Sequence, residues 1–173
     1  MRTIAFILCF TFLFSSCDRL FKDEELLLSK TPYLGDELRI DGYYYHFVSE
    51  SNRTVIHFLY RNGIILWGGT YATTNINEAE TEMVKLYSEV RNRKDSWGVF
   101  LVEDNKIQYE ELVESPNGAS LAIYRRSGYI ENDTTIHFIE SYYSGRKETK
   151  QINEVWHFKQ FDNKPDSTNN FIT

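Results

Sequence analysis

Four histidines share one setting, each directly before a phenylalanine: Tyr45-His46-Phe47, Ile56-His57-Phe58, Ile136-His137-Phe138 and Trp156-His157-Phe158. The β-branched and aromatic neighbours make all four segments strands, and successive side chains leave a strand on opposite faces. Each His therefore faces away from its Phe. Symmetry about a Ser51-Asn52 turn sets His46 opposite His57, and symmetry about a Ser144–Lys150 loop sets His137 opposite His157. If the first and last strands meet, the four imidazoles share one outer patch. Such a patch suits Zn²⁺ or Cu²⁺, or a surface that responds to pH. The plainer alternative is four polar residues on the wet face of strands whose Phe fills the core.

A second set has the chemistry of a cavity wall. Tyr43, Tyr45, Tyr60, Tyr109, Tyr124 and Trp156 fall on strand segments, where an apolar body and a polar tip suit a binding site. Arg126 shares the phase of Tyr124 and can meet an anionic headgroup. The alternative is a barrel filled by its own side chains, which eight strands just permit. The sequence holds no Gly-X-Ser-X-Gly elbow, phosphate-binding Gly loop, His-Glu-X-X-His or dinucleotide fingerprint. Glu110 and Glu111 are adjacent, so they point to opposite strand faces and cannot act as a carboxylate pair. A non-catalytic protein is expected, with no cofactor beyond the zinc that the His patch would take.

The elements that position these residues follow from pattern and turn chemistry. Strands are expected at 38–48, 54–61, 64–71, 97–103, 106–113, 120–130, 134–141 and 154–161, separated by Ser51-Asn52, Asn62-Gly63, Asp104-Asn105, Pro116-Asn117-Gly118 and Asn132-Asp133. This is a mainly β chain, an antiparallel meander of about eight strands that can close into a small barrel and so remove its edges. One segment breaks the series between strands three and four. Over 77–94, Ala79, Met83, Leu86, Tyr87 and Val90 recur at helical spacing. Asn77 and Glu80 offer a capping box, acids crowd the first turn and bases the last. The helix is expected to plug a barrel end or lie on the sheet.

Composition bounds the class. The chain has 173 residues, 42% hydrophobic and 25% charged, which excludes a disordered tail or a multi-pass membrane protein and fits one domain. A net charge of −6 provides no basic surface for nucleic acid.

The N-terminus resembles a bacterial lipoprotein signal peptide. Met1-Arg2-Thr3 is short and basic, and Ile4–Phe14 is an apolar run of eleven residues, within the roughly 7–15 of a signal h-region and short of a bilayer span. Phe14-Ser15-Ser16-Cys17 then resembles a lipobox. The resemblance implies removal of 1–16 and a diacylglyceryl group on Cys17. The mature chain then has 18 basic and 25 acidic residues, a net charge of −7, and one Cys, leaving no disulfide. Residues 17–36 read as lipidated Cys and tether, and 37–173 as a single β-domain. Asp18 beside the Cys resembles an inner-membrane retention signal, and Lys22-Asp23-Glu24-Glu25 resembles a surface-export signal. The expected location is the cell envelope, at the outer rather than the inner membrane, with the leaflet open.

The whole pattern resembles lipocalin-like envelope lipoproteins of the Bacteroidota. The resemblance rests on the leader, on Leu38-Arg39-Ile40-Asp41-Gly42-Tyr43-Tyr44-Tyr45 and on the closing Pro165-Asp166-Ser167-Thr168-Asn169-Asn170-Phe171. It implies a lipocalin-like barrel and no catalytic residues. Two functions follow as expectations: a barrel that holds a small amphipathic or anionic ligand, or an accessory lipoprotein that docks onto another envelope protein.

Overall fold

Short β-branched and aromatic runs between polar turns give eight strands in the computed structural model, which describes residues 22–172. They are β1 (Gly42–Val48), β2 (Arg53–Leu59), β3 (Ile64–Tyr71), β4 (Trp97–Glu103), β5 (Lys106–Glu114), β6 (Leu121–Asn132), β7 (Thr135–Tyr143) and β8 (Glu148–Gln160). One helix, α1 (Ile76–Arg91), joins β3 to β4. The strands form a closed antiparallel barrel in chain order, with β8 paired back onto β1. The expected meander is therefore the observed fold, with its helix where the periodicity put it. No helix among the described residues is long and apolar enough to cross a membrane. The proposed leader, 1–16, and Cys17 lie outside the described residues.

Two hairpins turn by a device that shifts their register. Between β1 and β2, Ser49–Ser51 form one 3-10 turn and Asn52 closes it in the left-handed region at φ 51°. Between β7 and β8, Ser144–Arg146 do the same and Lys147 closes at φ 51°. Each loop spans four residues with the left-handed one last, so the pairing centre lies ahead of the position that turn residues alone suggest. His46 consequently pairs with Val55 and His57 with Tyr44, while His137 pairs with Val155 and His157 with Thr135. Neither expected His–His pair forms. The second turn also starts β8 at Glu148 rather than 154. At the other end, β1 starts at Gly42 because 38–41 cap the barrel mouth, with Leu38 N–H on the Tyr33 hydroxyl and Arg39 N–H on the Asp133 carbonyl.

Helix α1 starts earlier than expected for a similar reason. Asn75, not Asn77, is the N-cap, its side chain accepting from the Asn77 N–H at 3.0 Å. Glu78, not Glu80, reaches back, to Thr73 and Asn75. Ala79, Met83 and Val90 bury one stripe, and Leu86 stays exposed. That stripe lies on the outer face of the barrel, against Tyr43, Phe58, Tyr60, Leu66 and Trp97. The first three strands are thus covered on both faces, which explains the near-continuous apolar runs Ile56–Tyr60 and Ile64–Trp67. A separate core fills the barrel with Tyr44, Leu59, Ile65, Phe100, Ile107, Ile136 and Phe138, closed at one mouth by Tyr33 and Leu38.

The segment 22–36, expected within the tether, crosses the outside of the barrel as a strap. Asp23 accepts from the Leu121 N–H at 2.9 Å and from Lys94 Nζ at 2.7 Å. Leu27 and Leu28 donate their backbone N–H groups to one oxygen of Glu110, at 2.6 and 2.8 Å. The other Glu110 oxygen accepts from Arg125, with Nε at 2.8 Å. Further on, the Tyr33 N–H bonds the Arg61 carbonyl. The turn under this crossing needs glycine: Gly63 has φ +79°, and a Cβ there would lie 2.1 Å from the Thr31 carbonyl oxygen.

Candidate functional site: a charged layer inside the barrel

Three strands each carry an aromatic residue and a charge two positions apart: Tyr109 and Glu111 on β5, Tyr124 and Arg126 on β6, Glu154 and Trp156 on β8. Residues i and i+2 share a strand face. Register pairs Tyr109 with Arg126 and Glu111 with Tyr124, and closure brings β8 across the interior. The six side chains therefore meet above the apolar core. Arg126 is the hub, its side chain only 13% exposed. Its Nε donates to Glu154 Oε2 at 2.8 Å, its Nη1 donates to the Tyr109 hydroxyl, and Glu111 Oε1 stands 3.7 Å from Nη1. The guanidinium carbon lies 4.7 Å from the Tyr124 ring centroid and 5.7 Å from that of Trp156. The Trp156 indole N–H closes the ring of contacts by donating to Glu154 at 3.2 Å.

His57 joins from β2. It is 2% exposed, its Nε2 lies 3.0 Å from Glu111 Oε2, and its ring rests against Trp156 and Tyr109. A carboxylate only accepts, so Nε2 carries the donated hydrogen. Nδ1 has no hydrogen-bond partner among the described residues. His46 lies on the same inner face, stacked on Trp156 at 5.8 Å with its Nδ1–H donating to the Val155 carbonyl.

The electrostatics follow from burial and pairing. Burial alone disfavours the Arg126 cation, but the surrounding Tyr109, Glu154, Tyr124 and Glu111 more than reverse this, and its pKa lies above the ordinary value. Burial pushes the Glu154 carboxyl up, and the charge and hydrogen bonds of Arg126 outweigh it, so the net shift is downward. Burial raises the Tyr109 hydroxyl well above its usual range, so it stays neutral while accepting from Arg126. The cluster is closed on itself: one cation is shared by two carboxylates, with aromatic faces around it.

Below this layer, the enclosed space between His57, Tyr109, Trp156 and the apolar core is about 10 Å³. Small-molecule sites need roughly 300 Å³ or more. Among the described residues, this part of the barrel is filled by its own side chains.

The expected ligand-binding residues divide cleanly. Tyr109, Tyr124, Arg126 and Trp156 come together inside. Tyr45 and Tyr60 do not join them, because Tyr44 and Leu59 take the inner phase of β1 and β2. Tyr60 lies under Lys164, whose Nζ is 4.2 Å from its ring centroid, and Tyr45 packs on the outside among Tyr43, Phe47 and His157. Tyr43 is also outside, its hydroxyl donating to Glu80 at 2.7 Å. The four His residues do not share a patch: His46 and His57 point inward, and His137 and His157 point outward. His137 is engaged by the Tyr129 hydroxyl and Asn153, both at 2.6 Å. Among the described residues no group of three or more His, Cys, Asp or Glu is arranged to hold a metal ion.

Sequence pattern brings in Glu111 only as half of an excluded carboxylate pair and leaves Glu154 without a role, although an aromatic–charge spacing of two marks both. As expected, Glu110 and Glu111 face opposite sides. In comparisons with family models, curated proteins and solved structures, none matches this chain.

Proposed function

We propose that this chain is a lipid-anchored cell-envelope protein, held through Cys17, whose barrel is a non-catalytic docking module for another envelope protein. The observation that favours docking over ligand carriage is the filled interior, with about 10 Å³ enclosed beneath a cation already satisfied by Glu154, Glu111 and Tyr109. A carrier would leave Arg126 facing an empty cavity. On this reading the interior charges fix the barrel's shape, and recognition belongs to the outer surface. The strap side supports that, with a surface trough of about 480 Å³ between the strap, β4, β5 and the C-terminal Phe171 and Ile172.

The test has two parts in a bacterial host. Cys17→Ala is expected to move the protein from the membrane fraction to the soluble fraction, or to leave the precursor uncut; unchanged partitioning contradicts the anchor. A photo-cross-linker at Phe171 is expected to give one discrete protein adduct, and the same group at Val84 on α1 none. Absence of adducts from every surface position contradicts docking.

A further inference from the structure

The strap is held in an unusual way for a segment that crosses half a barrel. None of the side chains of 22–32 is buried, and Leu27 is 70% exposed. Its grip comes instead from Glu110, a carboxylate 0% exposed, which accepts two consecutive backbone N–H groups, from Lys94, which takes the Asp23 carboxylate at 2.7 Å, and from the edge of β6, where the Glu24 N–H donates to the Leu121 carbonyl at 2.9 Å. Backbone N–H groups belong to any non-proline peptide. Two acidic side chains ahead of them are also read by the barrel: Asp23, four positions before Leu27, by Lys94 and the Leu121 N–H, and Glu24 by the Ile123 N–H at 3.2 Å. Beside the strap, the trough floored by Trp97, Val99 and Leu112 leaves about 480 Å³ that the strap does not fill.

We propose that this trough is a peptide-recognition site occupied in cis by the strap, and that its partner is an extended peptide with an acidic residue four positions before two apolar residues with free N–H groups. The partner exchanges with the strap, placing its N–H pair on Glu110, its acid on Lys94 and its apolar side chains in the open trough. Charge complementarity selects the occupant: Glu110 needs donors, Lys94 needs an anion, and the floor between them is apolar. This deepens the docking reading and rests on it, naming the surface and the chemistry of the partner.

The test uses the whole chain and a fluorescent peptide of residues 22–32 as probe. Leu27→Pro with Leu28→Pro removes both strap N–H donors and leaves Glu110 and Lys94 in place, opening the site. The opened protein is expected to bind the probe about tenfold more tightly than the unmodified one. Adding Glu110→Gln, or Lys94→Ala on the exposed arm should Glu110→Gln fail to fold, is expected to reverse that gain. A probe with proline at both positions is expected not to bind. No probe binding by an opened protein that still melts cooperatively overturns the proposal. So does binding indifferent to both Glu110 and Lys94. A dimer of the unmodified chain that disappears in the opened variant also overturns it, since the occupant would then be a second copy's strap. A partner cross-linked only far from Leu112 defeats this proposal while leaving the docking reading intact.

Discussion

Glu110 and Glu111 are neighbours in the chain and buried on opposite faces of the same strand, and their surroundings differ in kind. Glu111 faces side chains only: His57 at 3.0 Å and Arg126 at 3.7 Å, on strands it can never leave. Glu110 faces Arg125 on one oxygen and the backbone of a segment 82 and 83 residues away on the other. The inner carboxylate belongs to a closed network that fixes the barrel. The outer one holds groups that every peptide carries, on a segment with no buried side chain until Tyr33. Identical chemistry serves permanence on one side and exchange on the other, because the partners of one are welded into strands and those of the other are not.

The contrast is broken most strongly at Arg126. Arg126→Met leaves Glu111 and Glu154 without their cation, and is expected to cost about 3–5 kcal/mol in urea unfolding. Adding Glu154→Leu is expected to recover part of that loss, since an uncompensated buried charge is what destabilises the single variant. An Arg126→Met protein as stable as the parent would mean the inner network is not structural. On the outer face, Glu110→Gln keeps the shape and weakens the hold on the strap. About 1–3 kcal/mol is expected, together with faster hydrogen exchange at the Leu27 and Leu28 amides and unchanged exchange in β5. Slower or equal exchange there would remove the distinction between the two faces.

Acid sharpens the comparison. The folded Glu154 carboxyl lies below its ordinary value, so the unfolded chain binds its proton first. Its stabilising contribution is present above the ordinary carboxylate value and is lost as pH falls through the lowered one. The urea midpoint is expected to fall between about pH 7 and about pH 3, and less steeply in Glu154→Gln. Equal slopes would show that the Glu154–Arg126 pair does not set acid stability. The smallest effect belongs to the exposed Glu82–Lys85 pair on α1, 2.7 Å apart. Glu82→Ala is expected to change stability by no more than about 0.5 kcal/mol, because solvent screens it and both side chains lose freedom in pairing.

The architecture was legible because strand runs and turn residues agree locally, from Asn62-Gly63 to Asp104-Asn105. Register was not. A two-residue shift keeps every side chain on its face, so hydrophobic alternation does not detect it; the left-handed Asn52 fixes it at β1–β2, and the left-handed Lys147 together with the bulge between Phe138 and Glu140 fixes it at β7–β8. The facing of His57 was hidden by a different cause. With α1 outside and a core inside, both His57 and Phe58 are buried, and alternation between wet and dry says nothing there. Four of the seven candidate ligand residues converge because β5 and β6 pair Tyr109 with Arg126 and closure brings Trp156 on β8 to the same inner face. The strap has the sequence of a tether because its contacts are made by main chain and by acids, neither of which leaves a hydrophobic pattern.

The most direct test of a filled barrel with an outward-facing role is native mass spectrometry of the lipidated protein extracted from membranes under mild conditions. The expected result is the mass of the chain from Cys17 with its acyl groups and nothing more, unchanged by Arg126→Met. A reproducible additional organic mass that disappears in Arg126→Met would contradict it, and would mean that the interior opens to hold an anionic ligand.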